Sequence, residues 1–130
     1  MITLTVLGKP IAKARARVTK SGFSYTPEST VSYENLIKLA WQDSQQSKLP
    51  DVELTASLTF EFQVPKAKLS KFNKGIYIPH TSKPDLDNLA KSVLDALNGL
   101  AYTDDSQISF LQVSKIYGNE PKVTIRIESK

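Results

Sequence analysis

The sequence predicts a single α+β domain in which helices pack on one face of a mixed sheet. Apolar and polar residues alternate strictly over residues 52–64, which predicts a long strand with one buried face. Apolar residues three and four positions apart predict two helices, over 27–45 and 86–98. Further alternating segments begin and end the chain, so the predicted element order is β-α-β-α-β-β. At 130 residues, the chain has room for one such domain over residues 1–130.

The composition restricts the chemistry available to the protein. There is no cysteine and one histidine, His80, so disulfides, thiolate catalysis and sulfur-ligated metal sites are excluded. Any metal site must use oxygen ligands, which favours magnesium or manganese over zinc. The sequence has neither a long apolar run nor a cleavable leader, so we expect a soluble, cytoplasmic protein. Its formal net charge of +4 is compatible with a polyanionic partner.

The first predicted strand, Ile2–Leu7, is followed by a basic segment. This segment, IAKARARVTKSG, places Lys13, Arg15 and Arg17 at alternate positions and Lys20 shortly after them. In an extended chain the three alternate residues project to one side, a spacing suited to successive phosphates. A solvated basic loop explains the spacing equally well.

A short strand over Phe23–Tyr25 precedes the first predicted helix. Thr26 is typical of an N-cap, and Pro27 is typical of the first helical position. The predicted apolar face of the helix comprises Tyr33, Leu36, Ile37, Ala40 and Trp41. We therefore assign Trp41 to the core or to an interface rather than to base stacking.

Residues 65–84 are predicted to form a loop between the long strand and the second helix. The loop is rich in lysine and also contains aromatic residues: Lys66, Lys68, Lys71, Lys74 and Lys83, with Phe72 and Tyr77. Cations and aromatic rings together suit contact with nucleic acid. A mobile lysine-rich loop is the simpler interpretation, and His80 is given no role in it.

The stretch Lys83–Gln107 contains a cluster of acidic residues in this basic chain. It includes five of the thirteen acids, namely Asp85, Asp87, Asp95, Asp104 and Asp105. Leu86–Asn98 is the predicted helix, and Gly99 supplies its C-terminal stop. Asp87, Lys91 and Asp95 follow at intervals of four and therefore share a second face of that helix.

The residues alone leave two interpretations of these acids open. In one, Asp85, Asp87 and an acid of the 104–105 pair bind magnesium, and Lys91 steadies the attacking water or the phosphate charge. This interpretation requires the chain to run back along the helix, which is about 20 Å long, so that the later acid reaches the start of the helix. In the other, Asp85 and Asp87 complement the helix dipole, Asp87 and Lys91 form an exposed ion pair, and the later acids belong to a turn.

The end of the chain is predicted to form a hairpin. Gln107–Tyr117 and Lys122–Glu128 are the predicted strands, and Gly118–Pro121 is the turn between them.

The segment KPDLDNLAKSVLDALNGLAYTDDSQI resembles the signature of the RusA family of Holliday-junction resolvases, small endonucleases typical of bacterial prophages. The resemblance extends to GKPIAKARARV, YTPESTVSYE and EPKVTIRI, and so covers most of the chain. It implies a RusA-like fold and a homodimer that cleaves four-way junction DNA in recombination and repair. It also implies Mg²⁺ as the cofactor, with Mn²⁺ able to substitute, and neither an organic cofactor nor a membrane partner.

Residue by residue, the resemblance implies that Asp85, Asp87 and Asp105 are catalytic and bind the metal. Lys91 matches the catalytic lysine of the family. Asp104 neighbours the essential position, where it assists in metal binding or shapes the turn.

Two further residues, Asn88 and Asp95, belong to the family pattern, and we expect supporting roles for them. This chain has Ala14 and Ala16 where relatives often carry glycine and proline, which affects the shape of the basic loop.

DNA contacts are expected from basic residues that precede the acidic stretch or begin it. They are Lys13, Arg15, Arg17, Lys20, Lys71, Lys74 and Lys83. Phe72 and Tyr77 are candidates for the aromatic residues that some relatives use at the junction centre. Two alternatives remain: a nuclease for other branched DNA such as flaps and forks, and a non-catalytic, structure-selective DNA-binding protein.

Overall fold

The computed structural model describes residues 1–14 and 17–130 of the chain. Predictions for Arg15 and Ala16 lie outside the described residues, as does the prediction for the side chain of Arg17. The strands are β1 Ile2–Leu7, β2 Arg17–Val18, β3 Ser24–Tyr25, β4 Leu54–Gln63, β5 Ile108–Gly118 and β6 Lys122–Ser129. Within the described residues, β1, β6, β4 and β5 form one mixed sheet in that spatial order, and β2 pairs with β3. β6 is antiparallel to both of its neighbours, whereas β5 is parallel to β4.

Two of the helices cover one face of this sheet. The helices are α1 Glu28–Ser44, α2 Leu69–Asn73 and α3 Leu86–Leu97, with single 3-10 turns at Lys66–Lys68 and Asp105–Gln107. α1 packs against β1, α3 packs against β5, and the two helices contact each other. This confirms the predicted α+β class. Within residues 1–14 and 17–130, no helix is both long and apolar enough to cross a membrane.

The core lies between these helices and the alternating residues of the central strands. β4 contributes Leu54, Ala56, Leu58, Phe60 and Phe62, and β6 contributes Val123, Ile125 and Ile127. The intervening residues of both strands are polar and partly exposed, as the alternation predicts. Trp41 is buried in this core, which confirms the prediction that it is a core residue.

The prediction of a terminal hairpin is wrong. β5 and β6 follow each other through a short turn, but β4 lies between them and pairs with both. In its central position β6 has Val123, Ile125 and Ile127 fully buried. β5 is mostly exposed and forms an edge. Alternation alone does not distinguish these positions.

Other differences are local. Pro27, not Thr26, occupies the N-cap position of α1, without a side-chain capping hydrogen bond. Leu36 is 41% exposed rather than buried, and Thr30 takes a buried position on α1 instead. α2 and the preceding 3-10 turn lie within the predicted loop over 65–84. They were not predicted, because an element of one or two turns is too short to show a periodic pattern.

Candidate active site

Asp85 is the N-cap residue of α3, but its carboxylate does not cap the helix. Its backbone is extended, with φ −76° and ψ 146°, and its side chain makes no capping hydrogen bond. The carbonyl of Asp85 accepts the first helical amide, that of Leu89, at 3.1 Å. Both carboxylate oxygens lie 3.0 Å from Nζ of Lys83. An aspartate at an N-cap usually caps its helix, whereas this carboxylate is paired with Lys83 instead.

One face of α3 and the segment after it line a cavity of about 510 Å³, which we call the acidic cavity. Its polar lining is Asp87, Lys91, Asp95 and Asp105, and its apolar wall is Leu86, Ala90, Leu94, Leu111 and Val113. The helical spacing thus brings Asp87, Lys91 and Asp95 to one face, as predicted. Asp105, whose backbone lies near the C-terminal end of the helix, also lines this cavity. The ion pairs of the described residues do not include one between Asp87 and Lys91.

The return of the chain depends on a short reversal after α3. Gly99 has a φ of +80° and ends the helix, and its amide donates to the carbonyl of Tyr102 at 2.9 Å. The Tyr102 side chain is fully buried, and its hydroxyl donates to the carbonyl of Leu94 at 2.7 Å. Burial, with the charge of Asp105 nearby, raises the pKa of Tyr102, so the hydroxyl remains a donor. Asn98 Oδ1 then accepts the amide of Asp105 at 2.8 Å.

Asp104 has a structural role in this segment. Its Oδ2 accepts the amide of Ser106 at 3.0 Å, and the Gln107 side chain accepts the amide of Asp104 at 3.1 Å. The two bonds form a capping box on the 3-10 turn. Hydrogen bonds from Ser106 hold the pKa of the Asp104 carboxyl below its ordinary value. Of the two alternatives for Asp104, these contacts therefore support the one in which it shapes the turn.

Lys13 and Asp95 belong to an ion cluster that fixes the start of the basic segment. Lys13 Nζ lies 2.6 Å from Glu34 Oε1 and 3.4 Å from Asp95 Oδ2, and its amide donates to the carbonyl of Asn88 at 2.8 Å. Burial alone would lower the pKa of Lys13, but the hydrogen bond and charge of Glu34, together with Asp95, raise it. The ammonium of Lys13 is thus engaged within the protein. Asp95 has the supporting role expected of it.

Several other predicted DNA-contact residues lie at the surface. Lys20, Lys71, Lys74 and Lys83 are exposed. Tyr77 is 81% exposed, whereas Phe72 is half-buried and packs beside Ile76 and Tyr117. Phe23, which the sequence predicted only as part of a short strand, is 73% exposed next to β3.

Sequence reasoning missed the surroundings of His80. The ring is buried, stacks on Tyr117 with centroids 4.5 Å apart, and meets Phe62 edge-on at 4.7 Å. Burial and the charges of Lys115 and Lys68 lower its pKa, which favours a neutral imidazole. No spacing signal could have indicated this, because the three rings are brought together only by the packing of the sheet.

The donor set of the acidic cavity suits a hard divalent cation. Mg²⁺ typically takes one or two protein carboxylates and completes its coordination with water and substrate phosphate oxygens. Asp87 and Asp105 both face the cavity, whereas the Asp85 carboxylate is turned toward Lys83. Within the described ranges 1–14 and 17–130, no three His, Cys, Asp or Glu side chains are grouped closely enough to bind a metal. A site with three carboxylates therefore stays a prediction and requires Asp85 to leave Lys83.

Comparison with known proteins places this architecture in a family. The model of the family described as "Endodeoxyribonuclease RusA" matches residues 8–128, a region that contains the whole acidic cavity. The uncharacterized protein YqaN of Bacillus subtilis strain 168 is 36% identical over 137 aligned residues, covering 97% of this chain and 94% of YqaN. A crossover junction endodeoxyribonuclease rusA of Lactococcus phage r1t is 33% identical over 105 residues, covering 80% and 74% of the two chains. This chain belongs to the RusA family of endodeoxyribonucleases.

Proposed function

We propose that this protein is a magnesium-dependent, homodimeric endonuclease that resolves Holliday junctions by paired phosphodiester hydrolysis in DNA recombination and repair. The observation that carries the proposal is that Asp87, Lys91 and Asp105 line one cavity, although Asp105 follows Asp87 by 18 positions in the chain. A phage relative that is named a crossover junction endodeoxyribonuclease supports the choice of substrate.

In this mechanism Asp87 and Asp105 would hold the metal, and Asp85 would become available to it when the ion pair with Lys83 opens. Bound Mg²⁺ would lower the pKa of a water nucleophile and screen the charge of the scissile phosphate. Lys83 is exposed and can move to a DNA phosphate once DNA reaches the surface. The opening of the pair would thus couple DNA binding to completion of the site.

Lys91 is the remaining charged group suited to the reaction. Its side chain is exposed at the cavity, one helical turn after Asp87, and is not paired with that aspartate. An ammonium group in this position stabilises the additional negative charge that develops on the phosphate as water attacks. The apolar wall beside it, formed by Leu111 and Val113, reduces the screening of that interaction by solvent.

The surface around the cavity suits a branched polyanion. Exposed lysines lie before α3 and near the β2–β3 pair, and each chain carries a formal net charge of +4. Two copies would double that charge and would supply the two sites needed to cut opposing strands of a four-way junction. Lys13 is left out of this surface, because Glu34 and Asp95 engage its ammonium.

The decisive experiment is cleavage of a panel of synthetic DNAs under magnesium, manganese and chelator. The panel contains a four-way junction, a flap, a fork and a linear duplex, and Asp87→Asn serves as the inactive control. We expect paired, symmetric nicks in the junction with either metal and none with chelator. Preference for the flap or fork would identify a different branched-DNA nuclease. Junction binding without cleavage would identify a non-catalytic binding protein.

A further inference from the structure

A lysine occupies an inward-facing position of β5. Val113, Lys115 and Tyr117 pair in register with Leu58, Phe60 and Phe62, which are buried beneath the helices. The alternation of the strand therefore calls for an apolar residue at position 115. A charged group at such a position is costly unless it is hydrogen-bonded. Lys115 has to meet strong acceptors nearby.

The acceptors lie in the segment that leads into α3. Lys115 Nζ donates to the carbonyl of Ser82 at 2.5 Å and to the carbonyl of Pro84 at 2.9 Å. These carbonyls flank Lys83, and the second belongs to the residue directly before Asp85. Hydrogen bonds from an ammonium are shorter and stronger than those between neutral groups. Lys115 thereby ties the entrance of α3 to the edge strand of the sheet.

The other end of the same segment is anchored by His80. Its ring packs against Phe62 and Tyr117, and Nζ of Lys68 sits 5.5 Å from the Tyr117 ring centroid. The segment from His80 to Asp85 is thus fixed to β4 and β5 by a buried ring at its start and by an ammonium at its end. The residues between His80 and Asp85 are otherwise largely exposed.

We propose that Lys115 is a positioning residue that sets the location of Asp85 at the entrance of α3, beside the acidic cavity, by binding the carbonyl oxygens of Ser82 and Pro84. The inference rests on the proposed function, since it assigns Asp85 a role in the metal site. Asp85 lies outside the helix, so α3 by itself does not fix the direction of its carboxylate. The Lys115 contacts supply that constraint from a different element of the fold.

The test compares Lys115→Met, Lys115→Arg and Lys122→Met. Methionine keeps an unbranched side chain of similar length without the charge, and arginine keeps donors for both carbonyls. Lys122 is a half-buried lysine on β6 that is paired with Glu120, so its substitution is the matched control for loss of one charge. Hydrogen exchange of residues 81–86, thermal stability, junction affinity and single-turnover nicking across a magnesium titration are measured for each variant.

In Lys115→Met we expect faster exchange confined to residues 81–86 and a rise of about 10- to 100-fold in the magnesium concentration that gives half-maximal nicking. Junction affinity should be unchanged, Lys115→Arg should restore most of the loss, and Lys122→Met should behave as the wild type. Unchanged exchange over 81–86 in Lys115→Met overturns the inference. So does a loss of thermal stability with an unchanged magnesium dependence, which indicates a purely structural role.

The two proposals fail in different ways. If the wild-type protein does not nick any branched DNA with magnesium, the proposed function is wrong. Hydrogen exchange is then the measurement that tests whether Lys115 constrains residues 81–86. If the wild type nicks the junction and Lys115→Met shows the same exchange and magnesium dependence, the proposed function stands and the positioning role of Lys115 is wrong.

Discussion

The side-chain oxygen of Asn98 accepts a hydrogen bond from the backbone amide of Asp105, at 2.8 Å. Asn98 is the C-cap of α3, so this bond joins the end of the helix to the acid that follows the reversal. It explains how Asp105 comes to line a cavity with residues near the start of the same helix. The position of Asp105 therefore depends on a residue without charge and without a role in the chemistry.

Asn98→Ala is expected to reduce nicking of a four-way junction about 10- to 100-fold, because Asp105 loses the bond that fixes its backbone. Junction affinity should change little. The free energy of unfolding should fall by about 0.5–1.5 kcal/mol, the typical net contribution of one hydrogen bond. Single-turnover kinetics and urea unfolding provide the measurements, with Asn35→Ala on the exposed side of α1 as the control. An effect on stability without any effect on nicking would contradict the prediction.

Asp87→Asn and Asp85→Asn are each expected to abolish nicking while preserving or strengthening junction binding. The reason is that, in the proposed mechanism, each change would remove a metal ligand and also a negative charge near the phosphates. Gel-shift affinity and cleavage of the same labelled junction provide the comparison. Asp43→Asn, on the exposed surface of α1, is the matched control. If binding disappears together with cleavage, these acids serve the fold or the DNA surface rather than a metal site.

Lys91→Ala is expected to lower the single-turnover rate about 100-fold or more, with a much smaller change in junction affinity. The ammonium stabilises charge that is present only as the phosphate is attacked, so its removal affects the rate more than binding. Lys48→Ala, an exposed lysine after α1, controls for the removal of one positive charge. Equal rates for Lys91→Ala and the wild type would exclude a catalytic role.

The exposed lysines of α2 and its C-terminal end are expected to contribute to the salt dependence of DNA binding. The slope of log K against log salt should become shallower by about 0.9 for each phosphate that the variant no longer neutralises. Lys71→Gln with Lys74→Gln tests one surface, and Arg15→Gln with Arg17→Gln tests the basic segment. Fluorescence anisotropy at several salt concentrations gives the slopes. A slope that matches the wild type would show that the tested pair does not bind phosphate.

Stability is expected to fall as the pH drops below about 6.5, the ordinary value for histidine. Burial and the charges of Lys115 and Lys68 lower the pKa of His80 in the folded state, so the unfolded chain binds its proton first. The decrease begins near the unfolded-state pKa and levels off below the folded-state pKa. Urea unfolding between about pH 7.5 and pH 5 measures it, with His80→Phe as the comparison. The His80→Phe variant should lack this loss of stability at low pH. An identical pH dependence in both proteins would contradict the attribution of the loss to His80.

Local periodicity was enough to predict the elements that carry the site. Repeats of two or of about 3.6 residues predicted β4 and α3 to within two residues at each end, and also the common face of Asp87 and Lys91. The stop at Gly99 was predicted from the glycine itself. These features involve neighbours in the chain, so a single sequence displays them directly. The resemblance of the acidic stretch to the RusA family then added the identity of the acids, which periodicity does not contain.

Features that join distant segments could not be predicted in this way. β6 lies between β1 and β4, rather than beside β5, and its apolar side chains are buried there. His80 packs against two rings of the sheet, and Lys115 reaches the two carbonyls before Asp85. Each of these arrangements depends on which strands become neighbours, and the spacing of residues does not encode that choice.

The acidic stretch illustrates the difference between what the sequence determines and what the tertiary structure determines. The sequence by itself determined that Asp85 and Asp87 stand at the start of a helix, that Lys91 follows one turn later, and that a pair of acids comes after the helix ends. Only the tertiary structure decided that Asp105 shares the cavity of Asp87 and Lys91, because the position of Asp105 after the helix depends on burial of Tyr102 and on the Asn98 hydrogen bond.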